Sequence, residues 1–340
     1  MPHLYAPKQA HKLCMPGIFT ISLDFELCWG VRDKLTLEQY SSNLLGARQA
    51  VPALLELFGK YEIHATWAVV GFLMFENKAQ LLAGLPRRKP HYTNPNLSPY
   101  TVLNQLGNDE HDDPYHYAPS LVRRIVATPH QELASHTFSH YYTLEPGQTL
   151  EDFREDLQAA LQVAQFYGYS HTTLIFPRNQ THPEYLKLCR DMGFRVYRGN
   201  EEIWFYEAQS DERLTLMHRA SRFLDTYFNI AGTHAYPLPR AQDGLVNVPS
   251  SRFLRPYNQR LWFLEPLRRR RIVRSLKYAA QTSQIYHLWW HPHNFGVNLE
   301  QNLAFLESVL RTFDKFRHQY KMLSLNMAEV GQLVLGEAGR

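Results

Sequence analysis

Short apolar runs alternate along this chain with longer segments whose apolar residues recur every three or four positions. The short runs predict strands, and the periodic segments predict helices. The strand-like runs lie at residues 18–23, 64–71, 132–135, 172–176, 194–197, 285–290 and 322–325. The helix-like segments lie at residues 37–61, 120–127, 149–164, 183–192, 299–320 and from 327 onward. This alternation of strand and helix indicates an α/β protein with a parallel sheet.

Two irregular segments interrupt the alternation. Residues 86–119 are rich in Pro, Asn, Asp, His and Tyr, and residues from about 200 to 255 also lack a clear period. Segments of this kind are usually surface insertions, and they often line binding sites. A chain of 340 residues, 44% of them hydrophobic, is long enough for one large domain with such insertions. We therefore expect an N-terminal extension, residues 1–16, and a single domain over residues 17–335.

The amino terminus and the cysteines predict the compartment. Residues 1–16 lack the apolar core of a signal peptide, and no apolar run reaches the ~20 residues of a membrane span. The spacings of Cys14, Cys28 and Cys189 fit neither a disulfide framework nor a cysteine zinc site. We therefore expect a cytoplasmic protein.

The positive charge is concentrated in one stretch, residues 252–277, which we term the basic segment. It holds nine lysine and arginine residues against one acid, Glu265, in a chain with a net charge of +4. Aromatic residues interleave with these charges, which suits a peripheral contact with an anionic membrane or with a phosphorylated substrate. The alternative is a solvated helix face beside a few core aromatic residues. Nucleic acid is not an expected partner, because no nucleic-acid-binding fold accompanies the segment.

Two acids, Asp24 and Glu26, stand at the end of the first strand-like run. Residues two apart on a strand point to the same side, so both carboxylates are expected to face one pocket while Phe25 packs the other way. Burying two unpaired acids is costly, which favours a cation or a functional cleft at this position. The alternative is a pair of solvent-facing loop acids.

The best pair of candidate metal ligands in the chain is His136 and His140, which follow the run 132–135. One helical turn would bring both imidazoles to the same face, so that both could reach one divalent ion. Because the chain holds 17 histidines, the spacing alone is a weak indication, and the alternative is two exposed or capping histidines.

Four polar clusters share one predicted position, because each follows a strand-like run. They are Asp24 with Glu26, His136 with His140, Arg178 with Asn179, and His291 with His293. In parallel α/β sheets and barrels, the carboxyl ends of the strands form the active site. Two histidines and a carboxylate leave coordination positions open for water, as in catalytic zinc sites. Such an ion activates water and polarises a carbonyl, so the clusters indicate hydrolysis.

In the order of these clusters, the sequence resembles the polysaccharide deacetylases of the NodB homology class, carbohydrate esterase family 4. That family carries an acidic motif on its first strand, an H[ST]xxH motif, an arginine-containing loop and a histidine after a late strand. The corresponding segments are SLDFE at 22–26, HTFSH at 136–140, FPR at 176–178 and WHP at 290–292, and HATWAVVG at 64–71 is similar to the family's second strand. The resemblance spans about residues 17–335, with unmatched insertions at 86–119 and 200–280.

The resemblance implies a distorted (β/α) barrel that removes an acyl group from an amino sugar with the help of a divalent metal, for which zinc is the expected ion. Carried over residue by residue, the metal ligands would be Glu26, His136 and His140. Asp24 would be the general base, Arg178 would pair with Asp24 and orient it, and His291 would protonate the leaving amine.

Two of these assignments stay open. The commonest form of the family's acidic motif has adjacent aspartates, whereas here the acids are two apart and the second is a glutamate. Asp24 and Glu26 could therefore exchange the roles of base and ligand. His293 also competes with His291 for the role of acid, and His291 is preferred because it comes first after the strand.

Three functions are compatible with these residues. The first is a cytoplasmic, metal-dependent deacetylase acting on an N-acetylated sugar of a glycan or of a phosphate- or lipid-linked glycan precursor. The second is a deformylase or another hydrolase of C–N amide bonds on a small or lipid-linked substrate. The third is a non-catalytic glycan-binding protein with the same fold, which would release no acid.

Overall fold

The computed structural model describes residues 15–207, 209, 210, 213 and 215–338. Within this part of the chain, nine strands belong to one sheet. They are β1 Ile18–Phe25, β2 Ala65–Val69, β3 Gln131–Ser135, β4 Thr173–Leu174, β5 Val196–Tyr197, β6 Val246–Asn247, β7 Arg252–Phe253, β8 Ile285–Trp290 and β9 Leu323–Ser324. Each run predicted as a strand overlaps one of these strands.

The sheet is parallel, with the order β6-β5-β4-β3-β2-β1-β8-β7 and with β9 paired to the start of β1. The central strand β1 lies between β2 and β8 and is buried over its whole length. The strands curl into a half-barrel surrounded by helices, so their carboxyl ends meet at one rim. The predicted distorted (β/α) barrel is confirmed.

Helices cover the outside of the curled sheet. They are α1 Cys28–Val31, α2 Leu37–Lys60, α3 Lys78–Ala83, α4 Pro119–Ala127, α5 Leu150–Gln165, α6 Pro183–Asp191, α7 Leu216–Tyr227, α8 Glu265–Thr282, α9 Leu299–Tyr320 and α10 Met327–Ala338. Helix α2 continues through Pro52, and Thr149 and Asp152 form a capping box at the start of α5. None of the helices described is both long and apolar enough to cross a bilayer.

The second predicted insertion is shorter than the unmatched range 200–280 suggests. Strands β6 and β7 and helix α8 lie within that range and continue the sheet and its outer layer. The described residues of 200–245 stand outside the alternation, and they contribute α7 and the 3₁₀ helix Trp204–Tyr206. The two strands were missed because each has only two residues, too few to give a periodic pattern.

The basic segment is only partly a surface feature. Arg252 and Arg271 are buried, and they bind the two carboxylate oxygens of Asp225 at 3.1 and 3.0 Å. Arg268 is also buried and forms an ion pair with Glu265. Exposed basic side chains remain on α8 at Arg269, Arg270, Arg274 and Lys277. Three of the nine basic residues therefore serve internal packing, and the residue count overstates the charge available to a membrane.

A buried histidine away from the rim where the carboxyl ends of the strands meet makes the stability of the fold depend on pH. His171 precedes β4, and its Nδ1 donates to the carbonyl oxygen of Leu133 at 3.1 Å. Burial lowers the pKa of His171 to about 4. Between about pH 6.5 and pH 4, the unfolded chain therefore binds a proton that the folded protein excludes, and stability decreases as the pH falls through this window.

We expect His171→Gln to reduce the stability lost between pH 7 and pH 5 by about 2 kcal/mol, because glutamine does not titrate. Urea unfolding at both pH values measures the free energy of unfolding for each variant. The control His111→Gln removes an exposed histidine and should leave the loss as in the wild type. Equal losses in the wild type and in His171→Gln would contradict the prediction.

Candidate metal and acid-base site

Asp24 and Glu26 lie at the carboxyl end of β1, and both line the same cavity. Their side chains are buried, whereas Phe25 between them packs fully into the hydrophobic core. The strand alternation that predicted one shared pocket for the two acids therefore describes the structure. Two carboxylates buried this deeply require positive partners.

Arg198, which directly follows β5, holds Asp24. Its Nη1 donates to Oδ1 and its Nη2 to Oδ2 of Asp24, each at 2.7 Å. Arg198 is fully buried, and its remaining donors reach Asn179 Oδ1 at 2.7 Å and Ser22 Oγ at 3.0 Å. Burial would raise the pKa of Asp24, but the charge of Arg198 holds it below its ordinary value. Asp24 is therefore an ionised carboxylate in a fixed orientation.

The two histidines of the HTFSH motif lie on a tight loop and not on the helical turn that their spacing suggested. Thr137 and His140 have φ values of 62° and 59°, in the left-handed region. Asp156 of α5 closes the loop from behind, where Oδ1 accepts the Phe138 N–H at 2.8 Å and Oδ2 accepts the Ser139 N–H at 3.2 Å. The loop places the two imidazole centroids 5.1 Å apart.

His136 is oriented as a metal ligand. Its Nδ1 lies 2.8 Å from the carbonyl oxygen of Ile175, a contact that requires a hydrogen on Nδ1. In the neutral ring this leaves the lone pair on Nε2, which lies 3.3 Å from Oε2 of Glu26. A backbone carbonyl behind the ring is a usual orienting partner of metal-bound histidine.

His140 is held in the same way by a tyrosine. Its Nδ1 lies 3.1 Å from the Tyr142 hydroxyl, which donates to Asp33 Oδ1 at 3.4 Å and so accepts from His140. Burial lowers the pKa of His140 to about 4, although Glu26 opposes the shift, so the ring is neutral at pH 7. Its Nε2 lone pair then faces Oε2 of Glu26 at 2.9 Å.

The Nε2 lone pairs of His136 and His140 thus converge on a carboxylate oxygen of Glu26. Burial would raise the pKa of Glu26, but the histidines around it, His291 first, hold the pKa well below its ordinary value. Three acceptors without a proton between them repel one another unless a cation lies among them. The chain also leaves room here, because a methyl group at Gly30 would overlap the Glu26 carboxylate. The donor set Glu26, His136 and His140 therefore fits a divalent ion.

A second set of potential ligands shares Glu26 and adds the two late histidines. His291 Nε2 lies 3.5 Å from Glu26 Oε1 and 3.9 Å from Asp24 Oδ2. His293 is buried, burial lowers its pKa to about 3, and its Nδ1 has no hydrogen-bond partner in the described part of the chain. Because no carbonyl oxygen in the described part of the chain accepts from His293 Nδ1 as Ile175 accepts from His136 Nδ1, the first set is the better ligand group.

His291 occupies the position expected of an acid. It is only half-buried, and its Nδ1 lies 3.2 Å from Asn294 Oδ1, which fixes the ring. A proton on its Nε2 faces both carboxylates of the site, whereas His293 lies deeper and is neutral at pH 7. The geometry agrees with the preference for His291 over His293.

Arg178 has a different partner from the one that the resemblance implied. It forms ion pairs with Asp33 and, at 3.6 Å, with Glu145. Both oxygens of Asp24 are bound by Arg198, so the expected pairing of Arg178 with Asp24 is wrong. Asp33 accepts from Tyr142, so Arg178 supports the ligand His140 and not the base.

The backbone explains why Arg198, and not Arg178, binds Asp24. Arg178 and Asn179 both have left-handed φ values, 54° and 52°. The turn places the Asn179 side chain against Arg198 and the Arg178 guanidinium 4.2 Å from the centroid of the Tyr142 ring. A sequence motif gives the order of residues but not the direction in which such a turn sends each side chain.

These groups line a cavity of about 510 Å³. The metal-ligand group and Asp24 form its inner end, and Trp289 and Phe253 contribute aromatic surface. Arg222 of α7 and Arg255 after β7 also line the cavity but are only partly buried, and we term their side of it the outer wall. The cavity is of the size and mixed polarity usual for small-molecule sites.

Comparison with known proteins relates part of this chain to one family. Residues 35–197 match the family model described as Polysaccharide deacetylase, and this segment includes His136 and His140. The match agrees with the resemblance to the NodB homology class. No curated protein sequence matches the chain significantly.

Solved structures share the fold at low sequence identity. A putative polysaccharide deacetylase from Mycobacterium smegmatis is 15% identical with a TM-score of 0.60, covering 96% of this chain and 93% of its own. The PuuE allantoinase is 12% identical with a TM-score of 0.54, and a probable polysaccharide deacetylase from Pseudomonas aeruginosa PAO1 is 12% identical with a TM-score of 0.52. Each of these two alignments covers 93% of this chain and 89% of the other protein's chain.

Proposed function

We propose that this protein is a metal-dependent N-deacetylase of amino sugars. The observation that carries the proposal is the convergence of Glu26, His136 and His140 beside an ionised Asp24 in a sugar-sized cavity. A divalent ion bound there, with zinc as the expected ion, would supply an activated water and polarise the acyl carbonyl.

The residues of the chain divide the acid-base work. Asp24 takes the proton of the attacking water, because Arg198 keeps its carboxylate ionised and aimed into the cavity. His291, beside both carboxylates, gives a proton through Nε2 to the nitrogen of the leaving amine. Trp289 and Phe253 line the same cavity and give it apolar surface.

A glycan precursor is the proposed substrate, and the cytoplasm is the proposed location. The cysteine spacings, which fit no disulfide framework, support the location, and a precursor would be accessible there whereas a finished surface polymer would not. Detection of the protein outside the cytoplasmic membrane would overturn this part of the proposal.

The test is acid release from N-acetylglucosamine and N-formylglucosamine by zinc-loaded protein. We expect acetate release, reduced about 10²- to 10⁴-fold in Asp24→Asn and unchanged in Asp191→Asn, which alters an exposed acid. Release of formate without acetate would favour the alternative of a deformylase. Binding of the sugar with release of neither acid would favour a non-catalytic glycan-binding protein.

A further inference from the structure

The outer wall of the active-site cavity carries two arginines that have no role in the proposed catalytic reaction. Arg222 lies on α7, and Arg255 follows β7 in the basic segment. Both side chains are partly buried and line the same cavity as Glu26 and Asp24. They belong to parts of the chain outside the four motifs of the resemblance.

Neighbouring groups fix the position of each guanidinium without neutralising it. Arg222 Nε donates to the carbonyl oxygen of Phe205, and its guanidinium lies 5.7 Å from the centroid of the Tyr206 ring. Arg255 Nε donates to Thr226 Oγ1 at 2.9 Å. All of these partners are uncharged, so each arginine keeps donors that the described contacts do not use.

Among the described residues no carboxylate binds these two guanidinium groups directly, although the charge of Glu201 acts on Arg222 from beyond ion-pairing distance. Within the part of the chain that the structure describes, no carboxylate lies at ion-pairing distance from Arg222 or Arg255. Glu201 and Glu207 line the cavity, but they form no ion pair with either arginine. Burial lowers the pKa of both arginines, which reflects the cost of keeping the two charges in a desolvated wall. An anion entering the cavity would offset that cost.

We infer that Arg222 and Arg255 form a subsite for an oxyanion carried by the substrate. The substrate class is therefore an anionic N-acyl amino sugar, either a sugar phosphate or a sugar carboxylate, whose acyl group reaches the metal-ligand group while its anion lies at the outer wall. Guanidinium groups bind both phosphate and carboxylate through paired hydrogen bonds. The inference rests on the proposed deacetylase function for the acyl end of the substrate, but the anion subsite can be tested without catalysis.

Calorimetric binding to metal-free protein tests the subsite directly. The probes are N-acetylglucosamine 1-phosphate, N-acetylglucosaminuronic acid and the neutral methyl glycoside of N-acetylglucosamine. We expect the wild type to bind at least one anionic probe more tightly than the neutral one. Arg222→Gln and Arg255→Gln should each raise the Kd of that probe about tenfold or more and leave the neutral probe unchanged. The preferred anionic probe distinguishes phosphate from carboxylate.

A matched control lies on the same helix. Arg219 is exposed and does not line the cavity, so Arg219→Gln should bind all three probes as the wild type does. Arg222→Lys keeps the charge and should retain part of the preference. Equal binding of anionic and neutral probes by the wild type would overturn the subsite, and this comparison stands even if the arginine variants fail to fold. Binding of the anion without acid release would instead refute the deacetylase and leave the subsite intact.

Discussion

Glu26→Gln is expected to abolish binding of a stoichiometric divalent ion and to reduce deacetylation to the background rate. Glu26 belongs to both ligand groups of this cavity, so its loss removes the carboxylate from each. A glutamine of the same size keeps the packing but offers a neutral oxygen or an N–H where an anionic ligand is required. Elemental analysis of zinc per chain, with circular dichroism to verify folding, measures the effect.

Two histidine variants decide which ligand group holds the ion. His136→Ala should lower metal content to that of Glu26→Gln, because the Ile175 carbonyl orients this ring for coordination. His293→Ala should retain the ion, because His293 belongs only to the second group. The reverse result would move the metal to His291 and His293. One ion per chain retained in all three variants would refute the site.

The residue types at the strand ends explain why so much of this site could be predicted. Asp24 and Glu26 lie at the end of the eight-residue strand β1, and the histidine pair follows the five-residue strand β3. A parallel sheet brings such ends together whatever the intervening sequence. The chemistry of the site therefore followed from local patterns and one rule of topology.

The contacts that could not be predicted depend on the direction in which the folded backbone turns each side chain. Arg198 follows β5, a strand of two residues, and its contact with Asp24 joins positions 174 apart in sequence. The strand predicted at 194–197 places Arg198 at a strand end, so the rule that selected the other clusters would also have selected it. The left-handed residues of the histidine loop, by contrast, are non-glycine residues with no sequence signal.

Arg198→Gln should therefore reduce kcat/KM strongly at neutral pH, by about 10²-fold or more. It should also shift the acidic limb of the pH profile of kcat/KM to higher pH. Without Arg198, burial dominates and raises the pKa of Asp24, so the proposed base is ionised only at higher pH. The pH profile of kcat/KM on an N-acetylated amino sugar measures the shift. Breaking a buried ion pair also costs about 3–5 kcal/mol of stability, so thermal unfolding must be checked.

Arg178→Gln is the matched control, since it removes the arginine that the motif suggested. It should leave the acidic limb in place and weaken metal binding, because Arg178 acts through Asp33 and Tyr142 on the ligand His140. Arg198→Lys keeps a positive charge beside Asp24 and should shift the limb less than Arg198→Gln does. If Arg178→Gln shifts the limb and a folded Arg198→Gln does not, the base is oriented by Arg178 and the assignment of Arg198 is wrong.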